Sequence, residues 1–202
     1  MQKSKAVEGD ARSEGSEMKP TKELIAEHTV VLVALRLLEE VVAALAAKNE
    51  LAPKHLDQLL DFFKGFVDRY HHRKEEDFLF PELERRGTKC EREPIGVMLA
   101  ERNAGRRHVR AMLEGLDELH QGEGDALTAI REHAHTYRDT LRSHIHKENN
   151  ILFPIADRLV PDDVAVTIAD EFEEIESDRM GKAKHEAYHT MLRRLKGLYE
   201  VV

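Results

Sequence analysis

The chain has 202 residues, 41% of them hydrophobic, which is enough for one substantial core, so a single domain with appendages is expected. Its 31 Lys and Arg against 39 Asp and Glu give a net charge of -8, which repels phosphate backbones and argues against nucleic acid as a partner. The one cysteine, Cys90, rules out an intrachain disulfide and a cysteine-based zinc site, and it fits a reducing compartment.

Residues 1–20 are rich in Ser, Gly, Glu and Lys with little to bury, and they read as a disordered tail. They lack the apolar stretch of a signal peptide, and nothing later approaches the length of a membrane span, so a soluble, cytoplasmic protein with no membrane partner is expected. From Pro20 onward, Leu24, Val31, Leu35, Leu38, Val42 and Leu45 recur at the spacing of one buried helix face, and His28 lies on that face. A second helix is predicted from about Pro53, carrying Leu56, Leu59, Phe63, Val67 and Tyr70 inward. After the connection RRGTKCEREPIG, a third helix carries Met98, Gly105, Val109, Met112 and Leu116, starting at about Val97 and ending at HQGEGD. The fourth takes Leu127, Ile130, Tyr137 and Leu141 inward. Pro161 breaks the chain, and two further helices are predicted at roughly 162–177 and 183–199.

Four long amphipathic helices with short polar connections pack most economically as an all-α, up-down-up-down four-helix bundle. The halves resemble one another. HHRKEEDFLFP at 71–81 and HIHKENNILFP at 144–154 are nearly the same phrase, and PTKELIAEH at 20–28 matches PIGVMLAER at 94–102 in running from a proline to an Ala-Glu-X triplet. The bundle therefore reads as a duplicated helical hairpin.

Residues four apart on a helix are rotated by only about 40° and raised by about 6 Å, so His71 and Glu75 project side by side, as do His144 and Glu148. Each pair can grip a metal ion. The first copy also offers His72 with Glu76, but the second copy has Ile145 and Asn149 at those places, which selects His71 and Glu75 and leaves His72 and Glu76 as surroundings or solvent-facing. Imidazole nitrogen with carboxylate oxygen suits iron, manganese or zinc. His28, in phase with the core and with two pairs at similar depth, is the expected fifth ligand.

This order of residues resembles the hemerythrin-like, or HHE cation-binding, family: a histidine on helix one, His-x-x-x-Glu with LFP on helix two, and SHIHKENNILFP on helix four. The resemblance covers residues 21 to about 160, leaving 161–202 as a C-terminal helical extension. It implies a bundle holding a non-heme di-iron centre with His28, His71, Glu75, His144 and Glu148 as ligands. It implies a small ligand, namely dioxygen, peroxide or nitric oxide, and reversible binding, peroxide or nitric oxide decomposition, or iron storage as the activity. A monomer or homodimer is expected, with Phe63, Val67, Ile151 and Leu152 as apolar surroundings of an open metal position.

The resemblance also calls for a histidine on helix three where the repeat places Arg102, and an arginine cannot ligate a metal. If Arg102 points inward it needs a carboxylate, and Glu75 and Glu148 are the nearest candidates. His108 is an alternative ligand, although six helical residues rotate it about 120° from the Arg102 direction. His185 or Glu186 on the last helix could also approach the site, against the plainer reading of a surface helix packed by Leu192, Leu195 and Leu198.

Overall fold

The computed structural model describes residues 19–88, 94–122, 125–175 and 182–201, and every regular element among them is helical. Helix α1 is Pro20–Ala46. Helix α2 runs over 52–85 and is built from Ala52–Phe62, a π-helical stretch Phe63–His71, His72–Lys74, a second π stretch Glu75–Leu79, and Phe80–Arg85. Helix α3 is Pro94–His120. Helix α4 runs over 126–159 as Ala126–Lys147, a π stretch Glu148–Leu152, and Phe153–Leu159. Helices α5, Asp162–Ile175, and α6, Lys182–Leu198, complete the described chain. None of them is long and apolar enough to cross a membrane. Cys90, the tail up to residue 18 and parts of the two polar connections lie outside the described residues.

The helix starts and stops arise from local chemistry. Pro20 supplies the fixed φ favoured in a first turn, and it is buried, so the fold begins at the residue assigned above to the end of the tail. Helix α3 likewise opens on Pro94, three residues before Val97, which is exposed. Helix α2 ends on Gly87 at φ 99°, where the Thr88 N–H donates to the Leu83 carbonyl and the Gly87 N–H to the Glu84 carbonyl, closing the last carbonyls of the helix.

The repeated Leu-Phe-Pro has a structural consequence. Pro81 and Pro154 have no N–H to offer the carbonyls four residues back, Asp77 and Asn150, and their rings would collide with them. The turn before each proline widens instead, so that the Phe80 N–H reaches the Glu75 carbonyl and the Phe153 N–H reaches the Glu148 carbonyl. Each widened turn starts at one of the two motif glutamates. It also shifts the helical phase: Leu152 is fully buried, whereas Ile151, expected to wall an open metal position, is 49% exposed.

Helices α1 to α4 pack each against the next, and α4 closes back on α1. Their apolar faces form two separate clusters. The larger includes Val31, Leu35, Leu38, Leu56, Phe63, Tyr70, Val109, Met112, Ile130 and Leu141. The smaller includes Leu24, Leu79, Phe80, Met98, Leu152, Phe153 and Phe172. Helices α1 and α3 pass from the smaller cluster to the larger, and α2 and α4 pass the other way. Between the clusters every helix contributes polar side chains that are buried: His28, His71, Glu75, Arg102, His144 and Glu148.

The two last helices cover the outside of this bundle. Helix α5 lies on α1 and on the second π stretch of α2, burying Phe172 against Phe78. Helix α6 lies on α1 and α2 through Tyr188, Leu192 and Leu195, which are buried, while Leu198 is exposed. The Tyr188 hydroxyl donates to the Asp61 carboxylate at 2.9 Å, and the ring sits over Gly65, where any Cβ would collide with it. Gly65→Ala should therefore lift α6 from α2 and destabilise the protein by about 1–3 kcal/mol. A denaturant titration reads this directly, and an unchanged midpoint would show that α6 does not rest on that notch.

Candidate metal centre

The polar layer brings together all five residues that the two motifs and the α1 stripe single out. His28, His71, Glu75, His144 and Glu148 are each at most 2% exposed. His28 Nε2 lies 3.0 Å from His71 Nε2 and 3.1 Å from Glu148 Oε2. His71 Nε2 lies 3.8 Å from Glu75 Oε2, and His144 Nε2 lies 2.9 Å from Glu148 Oε1. Donor atoms of His28, His71 and Glu148 all fall within 4.8 Å of one another.

The outer nitrogen of each imidazole fixes which atom faces inward. His71 Nδ1 donates to Glu27 Oε2 at 2.7 Å, His28 Nδ1 donates to Asn149 Oδ1 at 2.7 Å, and His144 Nδ1 meets Glu101 Oε2 at 3.1 Å. A neutral ring that donates through Nδ1 carries a lone pair on Nε2. His28 and His71 thus direct two lone pairs at each other across 3.0 Å, with the Glu148 oxygen beside them, an arrangement that repels itself unless a cation shares it. Burial, with His28 adding to it, pushes His71 down to about 4 against the raising effect of Glu27, so His71 itself does not carry the proton at neutral pH. Glu75 Oε1 and Glu148 Oε2 are buried without a hydrogen bond, a further sign of donors held for a metal. The donor set therefore fits a cation of the iron, manganese or zinc type.

The surroundings shift the two glutamates in opposite directions. Burial raises the Glu75 pKa well above the ordinary value, with Glu148 and Glu27 adding to it against the pull of Arg102. Burial works the same way on Glu148, but His144 and Arg102 outweigh it and hold Glu148 well below the usual range. His144 is raised, the Glu148 and Glu101 carboxylates overcoming its burial.

Arg102 does point inward. Its Nη2 pairs with Glu75 Oε2 and with Glu148 Oε1 at 2.9 Å, so both carboxylates anticipated from sequence are its partners. Its Nη1 donates to Glu76 Oε1 at 3.1 Å and to the His72 carbonyl at 3.3 Å, and its Nε faces His144 Nε2 at 3.5 Å. The guanidinium carbon lies 4.7 Å from the centre of the Phe80 ring.

The alternatives are elsewhere. His108 pairs with His133 at 3.0 Å, Glu186 is exposed, and His185 packs on Phe66 and Tyr70. His72 is buried with both ring nitrogens lacking a hydrogen bond, and it lines a cavity of about 340 Å³ between α2, α3 and α4. That cavity is walled by Phe63, Val67, Val109 and Leu141 and floored by His72, His144 and Arg102, so Phe63 and Val67 line it, while Ile151 and Leu152 do not.

Sequence reasoning missed the groups that orient the ligands: Glu27, Glu101 and Asn149, and the lysines behind the glutamates. Lys74 is fully buried and donates to Glu27 Oε1 at 2.6 Å and to the Tyr70 hydroxyl at 2.8 Å, and Lys147 pairs with Glu101. The signal was present in the Ala-Glu-X triplets, where a glutamate directly precedes both His28 and Arg102.

Uncharacterized proteins of Mycobacterium bovis and Mycobacterium tuberculosis are 22% identical over 161 residues, which is 80% of this chain and 62% of theirs. The chain thus spans somewhat under two thirds of the relatives it matches. No solved structure matches the chain significantly. The family model described as the hemerythrin HHE cation binding domain matches residues 19–156, from the start of α1 to the end of the second Leu-Phe-Pro, and the chain belongs to that family.

Proposed function

We propose that this chain is an iron protein in which His28, His71 and Glu148, supported by Glu75 and His144, form the binding site, and that it handles dioxygen or peroxide there. The observation that carries the reading is the meeting of the His28 and His71 Nε2 lone pairs with the Glu148 oxygen, each ring oriented from behind by Asn149 or Glu27. Iron in such a site would supply the redox chemistry that dioxygen and peroxide require. The protein's own contribution is orientation, exclusion of water by the two flanking apolar clusters, and an apolar cavity leading to the layer. The same cavity supports a second reading, a reversible dioxygen or nitric oxide binder without turnover.

Anaerobic ferrous loading with metal counting, followed by visible spectra after oxygen and then peroxide, tests the proposal. A lasting oxygen-dependent spectrum supports the carrier or sensor, and gas evolved from peroxide supports the enzyme. A chain that retains no metal overturns both.

Two expectations refine this. Glu148→Ala should abolish tight iron binding. Glu27→Gln, which leaves every ligand in place but weakens the hold on His71, should cost about 10–100-fold in affinity. Equal affinities for wild type and Glu27→Gln, measured by competition with a chelator, would remove Glu27 from the site.

Acid should release the metal. His71 has a folded-state pKa of about 4 against an ordinary value of 6.5, so its neutral form dominates the folded protein at pH 7 and it protonates only as pH falls toward 4. Because the unfolded chain takes up that proton first, folding stability contributed by this residue is complete above about 6.5 and is lost between there and about 4. Iron retention followed by dialysis should therefore be full at pH 7 and fall as pH drops through about 4, and retention undiminished well below pH 4 would contradict histidine ligation.

A further inference from the structure

Resting on the reading that His28, His71 and Glu148 hold a metal, we infer that this chain binds one metal ion and not two, the Arg102 guanidinium standing as a permanent cation in the place of the second. The internal repeat shows why. Glu27 orients His71 and is held by Lys74, and at the corresponding places Glu101 orients His144 and is held by Lys147. Glu75 and Glu148 also correspond, so the two halves of the layer match residue for residue up to this point.

The match breaks at one pair of positions, and it breaks on both members at once. In the first half an imidazole, His28, meets an amide, Asn149, five residues after His144. In the second half a cation, Arg102, meets a carboxylate, Glu76, five residues after His71. The exchange of His with Asn for Arg with Glu keeps the local charge the same and leaves no third lone pair for a metal. Among the described residues, the three-membered group of metal-type donors within 4.8 Å is His28, His71 and Glu148, and the matching triple would need a donor at position 102.

The guanidinium also consumes the other donors of that half. Its Nη2 takes Glu75 Oε2 and Glu148 Oε1, and its Nε faces His144 Nε2. Arginine does not give up its proton inside a protein, and Glu75, Glu148 and Glu76 raise its pKa further in spite of burial. A second metal would have to displace a fixed positive charge from the oxygens it needs. What the guanidinium supplies in return is a metal-free state that folds, since Glu75 and Glu148 keep a cation between them when the metal is gone.

Zinc, which is redox-silent, serves as the probe. Wild type should hold one zinc per chain by equilibrium dialysis and elemental analysis, and the double variant Arg102→His, Glu76→Asn should hold two. Two zincs in wild type, or one in a folded double variant, would overturn the inference while leaving the metal reading intact; none in wild type would overturn the metal reading, and the inference with it. Thermal melts supply a second readout should the double variant not fold. Metal-free wild type should melt cooperatively, whereas metal-free Arg102→Met should melt lower and recover more of its midpoint on adding zinc than wild type gains. Equal zinc-induced shifts in the two proteins would overturn the role given to the guanidinium.

Discussion

Two carboxylates with no exposed surface, Glu75 and Glu148, constrain everything around them. Removing an ionised carboxylate from water costs several kcal/mol after relaxation unless a cation and hydrogen bonds replace the lost solvent. Here Arg102 from α3 reaches both, His28 from α1 lies beside Glu148, and His144 approaches Glu148 from one turn earlier on α4. The leucine-rich faces on either side could pack in more than one register. The polar layer cannot, because sliding any helix by one turn strips a carboxylate of its partner. Apolar burial provides the driving force for the bundle, and the charged layer fixes the heights at which its four helices meet.

The long helices were legible because a 3.6-residue stripe of large aliphatic residues survives any detail of packing, and Leu24 through Leu45 are buried as that stripe requires. The ligand pairs were legible because two copies of one phrase resolved the register that one copy leaves open. The inward turn of Arg102 followed from its phase with Met98 and Val109. What stayed hidden depends on contacts between segments distant in sequence. Nothing in HHRKEED marks Lys74 as buried, yet Glu23, Glu27, Tyr70 and Phe172 surround its ammonium. Ile151 reads as inward, and the widened turn at Glu148–Leu152 sends it out, because a π turn changes the phase that a regular stripe assumes.

The widened turns also connect fold to site. A helix interior does not tolerate proline without cost, and in both halves the cost falls on the turn that begins at a site glutamate. The LFP of each copy is thus a geometric device for the glutamate upstream of it as much as an apolar contact: it sets the angle at which Glu75 and Glu148 leave their helices.

Glu148 divides its two oxygens between the halves of the layer. Oε2 faces His28, and Oε1 faces His144 and Arg102. The cavity touches only the second side, for His72, His144 and Arg102 form its floor, whereas His28 and His71 do not line it. A molecule that enters therefore meets the guanidinium side before it reaches the metal position of the proposed site. Each nitrogen of that guanidinium already has a partner, so an arriving anion gains no hydrogen bond there without displacing Glu75, Glu76, Glu148 or the His72 carbonyl. An uncharged molecule has no such competition and no charge to desolvate against Phe63, Val67, Val109 and Leu141. Lys64, Arg106 and Arg110 also line the cavity and draw an anion toward it, so the cavity's charge and the filled hydrogen bonds of Arg102 act in opposite directions on an anionic ligand, while a small neutral species is subject to neither.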